Sequence, residues 1–358
     1  MSNLVKLAID GIGVEVPAGS RIIQAAEKAG IRIPTLCALE GVSHIGSCRI
    51  CVVEVEGRSE LVAACNAVVE DGMVVTTRSD RITDARRSAL QLLLVEHNLD
   101  STKYCFSCVK NGACELQALC REYDVVETPF PVSHVEKPVF DDNPFLRFNP
   151  NLCIKCQRCV GACNNQARNH TLRTGKKGVR TTILAPFGEG WDLTACESCG
   201  NCAMACPTGA LTEKRRASYR EWEVSRVLTT CPHCAVGCQL NLVVKDGKIV
   251  DAEPAGGPTN KFMLCVKGRS ASFDFVDSPE RIRTPLVKSR ETGEFEPSDW
   301  DTALNLVAEK MGAIKEARGG DALAAFACSR STNEDVYMLQ KMARTAFGTN
   351  NVDNCARV

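Results

Sequence analysis

Residues 153–163 read CIKCQRCVGAC, and residues 196–207 read CESCGNCAMACP. Each run contains C-x2-C-x2-C-x3-C, so the chain carries one spacing twice. Three thiols on one short loop can wrap a cubane of iron and sulfide, and in paired runs the fourth cysteine reaches the other cubane. Cys153, Cys156, Cys159 and Cys206 are therefore expected at one site, and Cys196, Cys199, Cys202 and Cys163 at the other. The first run lacks a proline after its last cysteine, with Asn164 there instead, whereas the second has Pro207. A strand is expected at Val179–Leu184, in the stretch between the runs. Eight cysteines at this spacing fit no common zinc site.

On the N-terminal side, Cys105, Cys108 and Cys114 form C-x2-C-x5-C, with His97 ahead of them. Apolar residues Ile82, Ala85, Ala89, Leu92 and Leu93 recur at helical steps, so Ser79–Glu96 is expected to be a helix that ends near His97. Nearer the start, Cys37, Cys48, Cys51 and Cys65 form C-x10-C-x2-C-x13-C. A long first gap and a tight CRIC pair suit two irons bridged by two sulfides, each iron held by two thiolates, with a structural zinc ion as the alternative. Short strands are expected at Leu4–Ala8 and Gly13–Val16 around an Asp10-Gly11 turn, then a helix capped by Ser20 and running to about Ala29 with Gly30 as its stop, then a strand at Ile50–Val55.

On the C-terminal side, CPHCAVGC at 231–238 and Cys265 give C-x2-C-x3-C-x26-C. Leu240–Val244 and Ile249–Ala252 flank Asp246-Gly247 as a hairpin. Beyond them, Leu304, Val307, Ala308, Met311 and Ile314 share a helical face after a start near Ser298 and Asp301, with Gly319-Gly320 as the stop. A strand at Ala322–Ala327 and a helix at Asn333–Phe347 follow, which suggests the opening of an α/β domain.

Nineteen of the 22 cysteines belong to these five groups; Cys120, Cys328 and Cys355 are left over. Cys120 is expected to be a packing residue. Lys+Arg and Asp+Glu both number 43, so there is no net charge to attract nucleic acid or an anionic membrane. The N-terminus carries neither the basic-then-apolar pattern of an export signal nor a twin-arginine signal, and no run approaches about 18 apolar residues, the length of a membrane span. A cytoplasmic protein is therefore expected. There, clustered thiols bind metal rather than pair as disulfides. No G-x-G-x-x-G follows a strand, so nicotinamide binding is expected on a partner.

Several stretches resemble known families. TLCALEGVSHIGSCRICVVEVEG (35–57) and LVAACNAVV (61–69) resemble the 2Fe–2S β-grasp module that opens complex I large subunits, iron hydrogenases and NAD-linked formate dehydrogenases. HNLDSTKYCFSCVKNGACELQ (97–117) resembles the 4Fe–4S module that follows it there, held by one histidine and three cysteines. That resemblance implies His97, Cys105, Cys108 and Cys114 as ligands. It departs in the longer gap after the histidine, Ser101 standing where the first cysteine often is. The paired runs resemble those of bacterial two-cluster ferredoxins. Residues 231–269 resemble the small 4Fe–4S domain opening the molybdopterin oxidoreductases, which implies Cys231, Cys234, Cys238 and Cys265 as ligands and Lys267 as a relay between cluster and pterin.

The segment ACSRSTNEDVYMLQKMARTAFGTNNVDNCARV (327–358) resembles the stretch before the metal-ligating residue of formate dehydrogenases. In that family the word CAR and an aliphatic residue precede a cysteine or selenocysteine, which implies that the ligand follows Val358, with a UGA codon there as the expectation. The expected fold class is a multi-module α+β iron–sulfur protein. Its modules are a 2Fe–2S β-grasp domain (1–80), a one-histidine/three-cysteine 4Fe–4S module (81–125), a two-cluster ferredoxin domain (140–217), a molybdopterin oxidoreductase 4Fe–4S domain (224–285) and the incomplete start of the catalytic domain (286–358). The resemblance implies one 2Fe–2S and four 4Fe–4S clusters, with molybdenum or tungsten on two molybdopterin guanine dinucleotides in the whole enzyme. It implies interconversion of formate and carbon dioxide, with electrons passed to flavin/NAD(P)-binding or hydrogenase partner subunits. A pure electron-transfer subunit like the complex I large subunit, an iron hydrogenase or another molybdopterin oxidoreductase are the alternatives.

Overall fold

The computed structural model describes residues 4–99, 101–132, 136–184, 196–270 and 273–356. The chain forms two compact units, one of Met1–Ser225 with Val244–Asp251 and the other of Arg226–Val243 with Ala252–Val358.

The first unit opens with β1 (Leu4–Ile9) and β2 (Ile12–Pro17), a tight antiparallel hairpin in which Ile9 pairs with Ile12. Asp10 and Gly11 both take positive φ in its turn, which is why aspartate and glycine stand there. Helix α1 (Ile22–Lys28) follows, then β3 (Val52–Val55), β4 (Val62–Ala63) and β5 (Val74–Thr76). The five strands form one sheet in the order β2-β1-β5-β3-β4, with β1 and β5 parallel. Ile9, Ile22, Ala25, Val53, Cys51 and Cys65 lie in the core between this sheet and α1. The N-cap of α1 is Arg21 rather than Ser20, and the Gln24 side chain accepts from the Arg21 N–H at 2.9 Å.

Helix α2 (Asp80–Glu96) is capped by Ser79, whose hydroxyl accepts from the Ile82 N–H. Its Leu90, Leu93 and Leu94 meet Leu116, Leu119 and Cys120 of α3 (Glu115–Glu122), together with Cys37, Ile154 and Cys156. Cys120 is thus a packing residue. Each buried leucine contributes about 1.5–3 kcal/mol. Three cysteine-bearing modules therefore share one apolar core.

The paired-run module holds β6 (Leu146–Phe148), α4 (Arg158–Gly161), β7 (Arg173–Gly175), β8 (Thr182–Leu184), α5 (Asn201–Ala205) and β9 (Leu211–Glu213). β6 pairs with β9, and β7 with β8. The strand expected at Val179–Leu184 is confined to Thr182–Leu184, because Gly178–Arg180 makes a single 3-10 turn. Residues 185–195 lie outside the described residues.

Next come β10 (Ser225–Thr230), β11 (Gln239–Lys245) and β12 (Lys248–Pro254), a three-stranded sheet in chain order, and then the short α6 (Val266–Arg269). The second unit continues with the hairpin β13 (Leu286–Lys288) and β14 (Phe295–Pro297). Then follow α7 (Trp300–Arg318), β15 (Ala325–Ala327), α8 (Asn333–Met342) and β16 (Val352–Asn354). The α7 cap is Asp299, not Ser298, its carboxylate accepting from the Thr302 N–H at 2.7 Å. β15 and β16 run parallel with α8 between them, one βα unit as expected.

Candidate metal centres

The four N-terminal cysteines converge. Cys37 and Cys48 lie on the loop before β3, whereas Cys51 and Cys65 flank the β3–β4 pair, where the Ala64 N–H donates to the Cys51 carbonyl at 3.1 Å. Gly41 and Gly46 take positive φ on that loop and let it curl around the thiols. Cys37 is held down to about 2 by hydrogen bonds from Cys48 and Cys65, which are themselves pushed up.

The second site is a cavity of ≈ 550 Å³ lined by His97, Cys105, Cys108, Cys114, Gln117 and Leu152 among others. His97 caps the C-terminus of α2 and is 4% exposed. Desolvation lowers its pKa to about 4, so the imidazole is neutral at pH 7. One ring nitrogen donates to the Leu152 carbonyl, and Nδ1, also buried, has no hydrogen-bond partner among the described residues. A neutral imidazole anchored through one nitrogen, with the other unmet in a cavity of three thiols, is the arrangement of a metal ligand. Cys114 is pushed up to about 12 by burial, a state that a bound cation would reverse.

The paired runs form the third and fourth sites. Cys153, Cys156, Cys159 and Cys206 line one small cavity, and Cys163, Cys196, Cys199 and Cys202 line another. The exchange of the fourth cysteine between runs is therefore present in the geometry. The repeat extends to the backbone. Lys155 and Gln157 after Cys153, and Ser198 and Gly200 after Cys196, all take positive φ at equivalent positions. These turns aim N–H groups at sulfur: Lys155 to Cys153 and Ser198 to Cys196, both at 3.4 Å. Asn201 Nδ2 donates to Cys199 at 3.3 Å and the Thr171 N–H to Cys163 at 3.3 Å. Such donors stabilise thiolate and help set cluster potential. Burial pushes Cys159 and Cys202 well up.

The fifth site lies in the second unit. The Cys231 N–H donates to the Cys238 carbonyl at 2.8 Å, and Cys265 caps α6. A Cβ on Gly268 would lie 3.5 Å from Cys231 Sγ, so α6 packs closely on this site. Cys265 and Lys267, the latter on α6, are both exposed. The two remaining cysteines also meet: Cys328 and Cys355 Sγ atoms are 3.8 Å apart, beyond β15 and β16. Arg357 and Val358, the end of the CARV word, lie outside the described residues.

Among the described residues, no three His, Cys, Asp or Glu side chains converge on a point small enough for one ion. No helix among them is long and apolar enough to cross a membrane. The groups of thiols, the unmet His97 nitrogen and the N–H donors aimed at sulfur fit clusters rather than single ions. Cysteine spacing alone missed Asn201, Thr171 and Arg158, because their partners are set by backbone turns and distant loops.

Comparison with known proteins gives the same module order. Residues 2–80 match the 2Fe-2S iron-sulfur cluster binding domain family, and residues 86–129 the NADH-ubiquinone oxidoreductase-G iron-sulfur binding region. Residues 152–210 match the 4Fe-4S dicluster domain, 224–276 the molybdopterin oxidoreductase Fe4S4 domain, and 281–358 the molybdopterin oxidoreductase family. The chain is 35% identical over 356 residues to the NADPH-Fe(3+) oxidoreductase subunit alpha of Geobacter sulfurreducens, covering 99% of this chain and 40% of that protein. It is 37% identical over 362 residues to an NADH-quinone oxidoreductase subunit of Rhizobium meliloti, again covering 99% and 40%. A Staphylococcus aureus protein carrying a provisional formate dehydrogenase name is 32% identical over 399 residues, covering all of this chain and 39% of that one. The chain thus spans about 40% of the length of these relatives. A chain of an NAD+-reducing NiFe-hydrogenase crystal structure is similar at TM-score 0.54 and 32% identity, covering 59% of this chain and 87% of that one.

Proposed function

The chain is an iron–sulfur region of the molybdopterin oxidoreductase family, related to a subunit of NADH-quinone oxidoreductase, and from that premise we propose that it is the electron-conducting front part of a formate dehydrogenase catalytic subunit. The observation that carries this reading is one chain holding five cysteine-rich sites and running directly into a molybdopterin oxidoreductase segment, with formate-dehydrogenase-like wording over 327–358.

Clusters at these sites would supply one-electron transfer. His97, Cys105, Cys108 and Cys114 would hold one 4Fe–4S cluster, and the paired runs and the CPHCAVGC site three more. Cys37, Cys48, Cys51 and Cys65 would hold a 2Fe–2S cluster. The neutral His97 leaves its site less negative than four thiolates would, which favours reduction there. Lys267 would present a cation between the fifth site and a pterin. The residue that ligates molybdenum or tungsten lies beyond Val358 in this reading, and flavin/NAD(P) or hydrogenase subunits take the electrons.

A second reading, a pure electron-transfer subunit, is favoured by the 37% identity to the Rhizobium meliloti NADH-quinone oxidoreductase subunit. One experiment separates them. Residues 1–358, purified without oxygen, are expected to carry roughly 18 irons and to take electrons from dithionite but not formate. A longer protein containing the segments its relatives have is expected to show formate-dependent reduction of the same paramagnetic signals. Reduction by NADH or NADPH with formate inert would replace this reading with the second.

A further inference from the structure

Arg158 stands between Cys156 and Cys159, yet every polar contact its guanidinium makes is to another module. The residue is 3% exposed. Nη1 donates to both carboxylate oxygens of Glu115, at 2.8 and 2.9 Å, and Glu115 directly follows Cys114. Nη2 donates to the Ala38 carbonyl at 2.9 Å and the Thr35 carbonyl at 3.4 Å, on either side of Cys37. The buried Nε has no partner among the described residues. One side chain therefore reaches the loops of three candidate centres.

The surrounding seam is close-packed. A Cβ on Gly161 would lie 2.4 Å from the Val42 carbonyl oxygen, and Asn165 Nδ2 donates to that oxygen at 2.9 Å. Cys37 and Cys156 belong to one apolar core. The charges are arranged unequally: the Arg158 side chain is 4% exposed, whereas its counter-ion Glu115 is 49% exposed. Water screens the half-exposed carboxylate more than the buried guanidinium, so the pair leaves a net positive field inside that the carboxylate only partly offsets.

We propose that Arg158 is a positioning and potential-setting residue shared by the cluster sites. It locks the loop carrying Cys37 onto the loop carrying Cys156 and Cys159, and its buried charge favours the reduced form of the Cys153/Cys156/Cys159/Cys206 site. Reduction adds one electron and no proton, so a fixed cation stabilises the more negative state. Arginine suits the role because its planar fork reaches a carboxylate and two carbonyls at once, which a lysine ammonium does not. This inference rests on the cluster-bearing reading above.

The test uses the cluster-loaded chain and potentiometric titration followed by electron paramagnetic resonance. Arg158→Met is expected to lower the reduced-to-oxidised ratio of that site about tenfold at fixed potential, a 59 mV fall for a one-electron couple. Arg158→Lys keeps the charge and is expected to restore most of that ratio, while the spin–spin interaction with the Cys37 site stays weakened. Glu115→Gln removes the counter-charge and is expected to shift the ratio the other way. Unchanged potentials in Arg158→Met and Glu115→Gln, with iron retained, would overturn the proposal. If Arg158→Met loses its iron, an unchanged potential in Glu115→Gln overturns it by itself. Absence of iron and sulfide from the wild-type chain would overturn the cluster reading instead.

Discussion

Two long helices with similar apolar periodicity differ completely in what they bury. α2 buries Ile82, Arg86, Leu90, Leu93 and Leu94, whereas α7 buries none of its residues. Trp300, Leu304, Val307 and Ile314 of α7 are all more than 40% exposed. Only Met311 joins a small core, with Leu323, Ala325, Ala343 and Phe347. The period of a helix thus reports that one face is apolar, and not what covers it.

The sharpest way to break this comparison is to shorten one leucine on each helix. Leu94→Ala is expected to cost about 2–5 kcal/mol in denaturant unfolding, because Leu94 is 1% exposed in the core shared with Cys37 and Cys156. A cost below about 1 kcal/mol would mean that the first unit is no better closed than the second.

Acid probes the same closed region. The folded His97 pKa of about 4 lies below its ordinary value of 6.5. Between those values the unfolded chain takes up a proton that the folded chain refuses, so stability falls as pH falls from 6.5 towards 4. The full loss is on the order of 3 kcal/mol. Unfolding midpoints of the cluster-free chain across this range should show the slope in the wild type and lack it in His97→Leu. An identical slope in both would move the acid sensitivity to other groups.

The smallest effect is expected at Leu304→Ala on α7. It should lie within about 0.5 kcal/mol, since Leu304 is 57% exposed. A loss of about 2 kcal/mol or more would show that this face is covered in solution and erase the contrast with α2.

What was legible in the sequence follows the reach of each interaction. Ligand loops are local, so the cysteines that C-x2-C spacing groups together line two common cavities, and left-handed residues recur at matching offsets. Hairpins with Asp-Gly turns were equally readable, because the turn conformation demands those residues. Helix starts were less so: Arg21 and Asp299 displaced Ser20 and Ser298, since several nearby side chains compete for the same N–H groups. Arg158 could not be read at all, because in the chain it is one arginine inside a cysteine loop. Its significance lies in carbonyls at residues 35 and 38, far away in sequence.

Gly209 carries a last consequence. A Cβ there would meet Cys108 Sγ at 2.6 Å, while the Cys114 thiol faces the Pro207 carbonyl at 3.5 Å. The paired-run module is thus fitted against its neighbour at atomic clearance, although module boundaries in the sequence look like convenient cutting points. A chimaera that grafts residues 152–210 from another protein into this chain must bring glycine at both 161 and 209. Without them the donor module will carry its own ligands and still not seat.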